Sequence, residues 1–359
     1  MIESREVSVV IQGPVRNATK ACFDSVRRIL PNAEVIFSTW EHENLDGLEP
    51  DRLVRSILPP AFPQHRPSGT LNNLNRLIRS SKAGVELAER TYVLKIRSDL
   101  ILDNDKFIQN FDLYPARGSR SVFSHKVIVP LTFSRREYRR WPVPFHLSDW
   151  AAFGFREDIR NIFLPVEEVK EPEFAEYFLN RKVQTPFGTT TYRMAPEQYF
   201  CYSVFLHAFD DLVMKDASDA SNELIRVADD FVVSNYLILN YDNTGWRIDK
   251  YPESLNEFIL EEQFFTFWSE FIYQTFYKKH CDPSFAIPAS RSKEFCEYRD
   301  YYEMLGRTKK HIHHLMHAKF SKRFEQLFII PFLSSKLAYY GLLKKFCPKR
   351  TNPIRFNYE

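Results

Sequence analysis

The sequence predicts an α/β fold, built on an open and mostly parallel sheet that is flanked by helices. Over the first hundred residues, short β-branched runs alternate with segments whose apolar residues recur at helical spacing. Three predicted strands also end in polar or glycine-containing segments, Gln12-Gly13-Pro14, Ser38-Thr39-Trp40 and Arg97-Ser98-Asp99. Because ligands bind beyond the carboxyl ends of strands in such sheets, we expect these segments to meet in one site.

The elements of this first part follow one another without a break in the pattern. The first strand closes at a turn formed by Gly13-Pro14, and the helix after it stops at Pro31. In chain order the predicted elements are the strand Val7–Gln12, the helix Thr19–Leu30, the strand Val35–Phe37, the helix Leu71–Leu87 and the strand Tyr92–Ile96.

The middle of the chain alternates shorter elements with long loops. We expect strands at Ser121–Pro130 and Trp150–Phe155 and helices at Glu173–Leu179 and Gln198–His207. A very aromatic helix is predicted at Leu255–Tyr277.

Charge and cysteine usage exclude several classes of protein. The 359 residues carry a formal net charge of +3, which does not indicate a nucleic-acid binder. The five cysteines are odd in number and widely spaced, as is typical of free thiols in a reducing compartment. The chain starts without the basic and apolar segments of a signal peptide, and no run of about 18 apolar residues predicts a transmembrane helix. We therefore expect a cytoplasmic protein.

Most of the positive charge lies near the C-terminus. Residues 307–350 contain eleven Lys or Arg and one acid, Glu325. Their apolar residues share a face opposite the lysines, which predicts a basic, helical C-terminal extension that binds an anionic inner-membrane surface. The alternative is a helical tail packed on the domain. We interpret the histidines between residues 311 and 317 as part of the basic surface rather than as a metal site.

The segment Arg97-Ser98-Asp99 carries the strongest chemical signal. An aspartate at a strand end can bind Mg²⁺ or Mn²⁺ while the phosphates of a nucleotide diphosphate supply the other ligands. Arg97 can pair with a phosphate or with Asp99 itself. The alternative is an Arg–Asp ion pair that only stabilises the end of the strand.

Residues at neighbouring strand ends also suit an anionic nucleotide. Gly13 lets a ligand approach the backbone, and Pro14 fixes the turn. Asn72 can cap a helix start whose amides favour an anion, and Arg76 lies one turn further on. An ordinary turn and a capped surface helix remain the alternatives. The residues that we predict to bind a nucleotide donor are Gln12, Gly13, Pro14, Ser38, Thr39, Trp40, Asn72, Arg76, Lys95, Arg97, Ser98 and Asp99.

A second set of residues predicts sugar contacts and proton transfer. The carboxylate of Asp149 could bond sugar hydroxyls, and the ring of Trp150 could cover an apolar sugar face. We therefore assign the residues around Asp149, which are His146, Ser148 and Trp150, to acceptor binding. Glu197 is the first choice for a general base, and Asp149 is the second. The alternatives are a buried turn or helix cap around Asp149 and a first-turn acid that complements the helix dipole at Glu197.

At these residues the sequence resembles the WavE lipopolysaccharide-synthesis family of bacterial proteins. The matching segments keep one order over roughly residues 7–240. They are Val10 to Val15, Ser38 to Trp40, Asn72 to Arg76, Tyr92 to Asp99, Ser148 to Trp150 with Gly154, and Pro196 to Gln198. The resemblance implies a glycosyltransferase of the GT-A type, a Rossmann-like fold in which an Asp-x-Asp element holds a metal and the donor diphosphate. Arg97 replaces the first acid of that element, which leaves Asp99 alone for Mn²⁺ or Mg²⁺.

The predicted function is the transfer of a sugar from a nucleotide sugar, UDP-linked by expectation, to a hydroxyl of a glycan or lipid-linked glycan. The pathway implied is bacterial lipopolysaccharide or capsule biosynthesis, on the cytoplasmic side of the inner membrane. We expect a catalytic domain over residues 1–250, with a donor half at 1–120 and an acceptor half at 121–250, and a helical region over 251–359. The alternatives are a non-catalytic scaffold of a polysaccharide assembly complex and a transferase of sugar phosphate or alditol phosphate.

Overall fold

The computed structural model describes residues 2–65, 70–138, 141–170, 173–179, 186–187, 192–249 and 267–289. The strands are β1 (Val7–Gln12), β2 (Glu34–Trp40), β3 (Arg52–Ser56), β4 (Phe62–His65), β5 (Thr70–Asn72), β6 (Tyr92–Arg97), β7 (Ile101–Leu102), β8 (Val127–Pro130), β9 (Glu137–Tyr138), β10 (Trp141–Pro142), β11 (Ala151–Phe155), β12 (Tyr236–Leu239) and β13 (Trp246–Arg247). The α-helices are α1 (Thr19–Ile29), α2 (Leu74–Leu87), α3 (Lys106–Gln109), α4 (Arg156–Phe163), α5 (Pro196–Ala208), α6 (Asn222–Asn235), α7 (Tyr241–Thr244) and α8 (Glu270–His280).

A seven-stranded sheet forms the centre of the molecule, with the strand order β12-β8-β11-β6-β1-β2-β3. β11 runs antiparallel to both of its neighbours, β6 and β8, and every other adjacent pair in this sheet is parallel. The mostly parallel α/β sheet that the sequence predicts is therefore confirmed.

The direction in which the chain builds the sheet reverses beside β1. β2 and β3 extend the sheet on one side of β1, and β6 pairs with its other side. In this register Gln12, the last residue of β1, lies opposite both Ser38 of β2 and Arg97 of β6. The carboxyl ends of the three strands are thus nearly level, and the crevice above such a reversal is where ligands bind in open α/β sheets.

The core lies around β1 and its neighbours. Every residue of β1 is buried, as expected for a parallel strand that is covered on both faces. α2 packs across β1 and β2 and contacts α4, which lies on β11. Gly84 makes the approach of α2 possible, since a Cβ at this position would collide with the Val10 side chain. The helix therefore sits close enough to the sheet to bring its N-terminus to the strand ends.

Two boundaries in the first part differ from the prediction. β2 continues to Trp40, so Ser38 and Thr39 belong to the strand rather than to a loop after it. The helix predicted from Leu71 begins only at Leu74, because Leu71 pairs with Pro63 in the β4–β5 hairpin. The other strands and helices expected up to residue 97 are confirmed, with ends shifted by one residue at most.

The prediction for the middle of the chain is less accurate. Only Val127–Pro130 of the expected strand Ser121–Pro130 is a strand, because the N–H groups of Ser124 and His125 donate to the Asp158 carboxylate instead. Residues 173–179 form turns rather than the expected helix. The strand expected at Trp150–Phe155 and the helix expected at Gln198–His207 are confirmed as β11 and α5, whereas the 14-residue helix α6 was not predicted.

The C-terminal prediction falls largely outside the described residues. Of the aromatic helix expected at Leu255–Tyr277, residues 255–266 are not described, and residues 267–269 are not helical. Phe267 forms a β-bridge with Arg135 instead, and the helix α8 begins at Glu270. The basic segment 307–350, with its histidines, also lies outside the described residues. None of the helices within the described ranges combines the length and apolar character that a bilayer crossing requires.

Candidate functional site

A cleft of about 510 Å³ opens at the carboxyl ends of β1, β2 and β6. The three strand-end segments singled out in the sequence all contribute to it, together with the N-terminal half of α2. Its lining residues are Gln12, Gly13, Pro14, Arg16, Trp40, His42, Glu43, Leu58, Leu71, Asn72, Asn73, Leu74, Arg76, Leu77, Ser80, Arg97, Ser98, Asp149 and Pro196. The fold thus brings together most of the predicted donor-site residues.

Hydrogen bonds between the ends of β1 and β6 form the floor of the cleft. The Ser98 N–H donates to the Gln12 carbonyl (2.9 Å), and the Ser98 hydroxyl donates to the Pro14 carbonyl (2.7 Å). Gly13 has a φ of +117°, and a Cβ there would lie 3.3 Å from the Ser98 hydroxyl. Glycine is required at this turn because a side chain would strain the backbone and crowd Ser98.

Asp99 lies between two arginines at the edge of the floor. Arg97 donates from Nε and Nη2 to the two Asp99 carboxylate oxygens, both at 2.9 Å, and Arg16 donates from Nη1 to Asp99 Oδ2. The Arg97 guanidinium also lies over the Trp150 ring, 5.6 Å from its centroid. The Asp99 side chain is only 5% exposed, whereas both arginines line the cleft. Arg97 and Arg16 therefore present their charge to the cleft and Asp99 holds them there.

Arg16 is a residue that the sequence analysis missed. It is close to Gly13 in the chain but reaches Asp99 across 83 positions, and nothing in the local pattern reveals that pairing. The only available signal is a cation in the loop after a strand that ends in Gly-Pro.

Asp149 also lines the cleft, and Lys95 fixes its backbone. The Lys95 ammonium donates to the Asp149 carbonyl oxygen at 2.6 Å and lies over the Phe163 ring. Burial lowers the pKa of Lys95 to about 8. Lys95 was predicted to bind the donor, but it is fully buried and does not line the cleft. Its contact with the Asp149 carbonyl instead positions the loop that carries Asp149.

Glu197 lies in the first turn of α5, next to Pro196 at the cleft wall. Desolvation, and after it the negative charge of Asp149, raises the pKa of Glu197 to about 8. The two acids predicted as alternative bases therefore lie close enough to influence one another. At neutral pH Glu197 therefore keeps its proton.

The three predicted acceptor residues stand behind the cleft wall rather than on it. His146, Ser148 and Trp150 are each at least 95% buried, and the cleft lining includes none of them. The His146 Nδ1–H donates to the Phe133 carbonyl (3.0 Å), and burial lowers the pKa of His146 to about 3, so the ring is neutral. The Trp150 ring packs at a tilt of 49° against the Phe133 ring, with ring centroids 4.9 Å apart. These side chains support the loop that carries Asp149.

Arg135 is a second residue that the sequence analysis missed. Its guanidinium lies over the rings of Tyr138, Phe267 and Phe133, at 4.6, 5.2 and 5.3 Å from their centroids. Burial lowers the pKa of Arg135, and the charges of Tyr138 and Glu197 act in the opposite direction. Aromatic residues on both sides of Arg135 in the sequence were the available signal for this cage.

The end of β2 and the start of α2 also contribute to the cleft. Trp40 and Asn72 reach it, and Asn72 Oδ1 accepts a hydrogen bond from the Leu74 N–H (2.8 Å) at the start of α2. Arg76 lines the cleft but its Nε donates to the Pro59 carbonyl (2.9 Å). Ser38 and Thr39, predicted to contact the donor, are fully buried and do not line the cleft.

The described residues fit a divalent cation poorly. Within the described ranges, no group of three or more His, Cys, Asp and Glu side chains could hold a metal ion. Asp99, the predicted ligand, gives both of its carboxylate oxygens to Arg16 and Arg97. A cation would have to displace a guanidinium in order to bind Asp99.

Comparison with known families gives one match. A family model described as WavE lipopolysaccharide synthesis matches residues 7–314, which include every cleft residue named above. No curated protein matches the chain.

Proposed function

The chain belongs to the WavE lipopolysaccharide-synthesis family, and on that premise we propose that it is a glycosyltransferase that uses a nucleotide-sugar donor. The observation that carries this proposal is the cleft at the reversal beside β1, which is lined by two guanidiniums and by Asp149, an acid that interacts with the neighbouring Glu197. A nucleotide sugar needs cationic groups at its diphosphate and a base near the acceptor hydroxyl. The volume of the cleft, about 510 Å³, lies within the range for small-molecule sites.

We propose that the donor lies along the cleft in one direction. The base and ribose would lie at the end formed by Trp40, His42 and Asn72, with the diphosphate above Arg97. The transferred sugar would then lie between Arg97 and Asp149. The aromatic and amide groups of the first end suit a base, while the cationic middle suits phosphates. With this direction we also propose a GT-A-like catalytic domain over residues 1–250, and UDP-linked sugars are the first donors to test.

We propose Asp149 as the general base and Glu197 as its protonated neighbour. An acceptor hydroxyl would give its proton to the Asp149 carboxylate as its oxygen attacks the anomeric carbon of the donor sugar. The bond from that carbon to the phosphate oxygen breaks, and the nucleoside diphosphate leaves with the electron pair. Glu197 was the first choice from sequence, but its pKa of about 8 leaves it protonated at neutral pH. A protonated acid cannot accept the hydroxyl proton, which favours Asp149.

The acceptor and the location of the enzyme remain part of the same proposal. We propose a glycan or lipid-linked glycan acceptor at the cytoplasmic face of the inner membrane, with residues 307–350 bound to anionic lipid. The support is the eleven Lys or Arg of that segment. Deletion of the chain after Lys309 should release the protein from anionic vesicles, and unchanged binding would refute this contact.

The function is tested by incubating the full chain with a panel of UDP-, GDP- and CMP-sugars and a lipopolysaccharide-derived acceptor. Release of free nucleotide together with a sugar-sized mass increase in the acceptor supports the proposal. An increase that includes phosphate would identify a sugar-phosphate or alditol-phosphate transferase instead. If neither release nor transfer occurs with any donor, the non-catalytic scaffold replaces the enzyme.

A further inference from the structure

We propose that Arg16, Arg97 and Asp99 form a diphosphate-binding subsite that balances the charge of the donor and of the leaving group without a divalent cation. The inference rests on the proposed function, because it assigns the donor diphosphate to this part of the cleft. It assigns Arg16 to ligand binding and makes Asp99 a positioning residue that acts through the two arginines. We refer to the three residues as the arginine clamp.

The contacts of Asp99 account for its role. A carboxylate offers about four acceptor positions, and three N–H groups of the two guanidiniums already occupy Asp99. Its side chain is only 5% exposed, so little of it is open to solvent or ions. A divalent cation at Asp99 would have to replace a guanidinium and then stand beside both positive charges. Binding of the ligand by the arginines themselves avoids that repulsion.

The arginines keep donors for a ligand. Across the described parts of the chain, Nη1 of Arg97 and the Nε and Nη2 groups of Arg16 make no hydrogen bond. Both side chains line the cleft, and they are 20% and 39% exposed. Guanidiniums bind phosphate oxygens with paired N–H groups, so two of them suit the two phosphates of a nucleoside diphosphate.

The surroundings fix Arg97 before any ligand arrives. The backbone N–H of Arg97 donates to the Trp150 carbonyl (3.2 Å), and the Arg97 guanidinium lies over the Trp150 ring. Asp99 holds the two like charges together, because its own charge offsets part of their repulsion. The clamp carries a net charge of about +1, and a diphosphate supplies the remaining negative charge. When the bond to the anomeric carbon breaks, the new charge on the phosphate oxygen develops beside donors that are already in position.

The chain contains a matched control pair outside the cleft. Arg120 donates to both oxygens of Asp211, its side chain is also 20% exposed, and its guanidinium lies over the Phe209 ring at 4.8 Å. Its exposure, its pairing and its aromatic contact thus resemble those of Arg97. The cleft lining does not include it. Asp211 is 49% exposed and Asp99 only 5%, so loss of Arg120 should cost less stability than loss of Arg97. It should not affect ligand binding.

The test is calorimetric titration of the full chain with UDP, GDP and inorganic pyrophosphate, in EDTA and again in Mn²⁺. We expect at least one nucleoside diphosphate to bind in EDTA, and Arg16→Met and Arg97→Met each to weaken it by roughly 10- to 100-fold. Arg120→Met should bind as the wild type does. Arg97→Lys keeps the charge without the paired N–H groups and should fall between wild type and Arg97→Met. Thermal unfolding of each variant checks that it is folded.

Three results would overturn the arginine clamp: no binding of any of the three probes in EDTA, binding that appears only with Mn²⁺, or wild-type affinity in both Arg16→Met and Arg97→Met. Failure of the proposed function is distinguishable from these results. In that case nucleoside diphosphates bind in EDTA through both arginines, yet no nucleotide sugar is turned over. Conversely, turnover that needs Mn²⁺ and tolerates Arg16→Met would remove the clamp and leave the glycosyltransferase.

Discussion

Two buried polar networks lie at opposite edges of the central sheet, and their partners differ in kind. At the edge formed by the ends of β1 and β6, Asp99 is bonded by the side chains of Arg16 and Arg97, whose remaining donors face a cleft. At the edge where β8 and β12 begin, Asp158 and Asn235 bond mainly to the backbone. The first network could therefore take up a ligand, because its two arginines keep unused donors.

The second network has little capacity left for a ligand. Asn235 Oδ1 accepts from the Val122 N–H (2.7 Å), and its Nδ2 donates to the Arg120 and Phe231 carbonyls (2.7 and 2.9 Å). Asp158 accepts from both the N–H and the hydroxyl of Ser124, each at 2.7 Å. A polar residue that is saturated by backbone groups stabilises a fold. The comparison is consistent with the proposal that the first network, whose arginines line the cleft and keep unused donors, binds a ligand.

The largest effect should come from Asp149→Asn, which removes the proposed base at the cleft. We expect kcat to fall by roughly 10²–10⁴-fold with little loss of stability, since the backbone contact to Lys95 remains. The measurement is steady-state turnover of the donor identified by the panel. A loss of tenfold or less would assign the general base to Glu197 instead. It would also weaken the distinction between a functional network at one edge of the sheet and a structural network at the other.

Asn235→Leu should have the converse effect at the opposite edge. The change leaves the Val122 N–H and the Arg120 carbonyl without their partner in the interior, at a cost of about 3 kcal/mol. Urea unfolding should show this loss, whereas kcat of the folded variant should stay near that of the wild type. A variant of normal stability and low kcat would contradict a purely structural role for this network.

A smaller effect, which depends on pH, should follow from Glu197→Gln. The pKa of Glu197 rises from 4.5 to about 8 on folding, so the folded protein retains a proton that the unfolded chain has lost between these values. Stability from this group is therefore complete below pH 4.5 and is lost as the pH rises through about 8. The Glu197→Gln variant has no group that titrates at this position. The difference in melting temperature, variant minus wild type, should therefore be a few degrees larger at pH 8.5 than at pH 4.5. A pH-independent difference between their melting temperatures would argue against the raised pKa.

The smallest effect should come from a charge pair outside both networks. Lys20 and Asp24 form an exposed pair one turn apart on α1, with side chains 60% and 58% exposed. Lys20→Met should change the free energy of unfolding by less than about 0.5 kcal/mol and leave turnover unchanged. A larger change in either quantity would contradict the view that an exposed ion pair outside both networks contributes little to stability or to turnover.

The strand ends could be predicted from sequence because their signals are local. β-branched runs that stop at Gly13-Pro14 or at a polar segment mark the carboxyl ends of parallel strands, and the register of β1 then brings those ends together. The same reasoning placed Ser38 and Thr39 in the site, where β2 in fact continues past them. Strand length depends on pairing with β3, which no local pattern reveals.

The remaining features of the site depend on contacts between distant parts of the chain. Arg16 acquires its role from Asp99, and the Glu197 pKa from Asp149, neither of which is near in sequence. His146, Ser148 and Trp150 have the residue types of a sugar site, but the loop buries them behind Asp149. Residue type indicated a loop that reaches the cleft through Asp149, whereas the direction of each side chain required the tertiary structure.

Hydrogen–deuterium exchange of the full chain, with and without the nucleotide sugar that the panel selects, tests the central claim most directly. The account predicts protection on donor binding in the segments 12–16, 40–43, 71–77 and 97–99, which contain most of the residues that line the cleft. Exchange at residues 117–124 and 231–236, around the opposite network, should stay unchanged. Protection centred on that second edge, or turnover without protection of residues 97–99, would contradict the assignment of the donor site to the cleft.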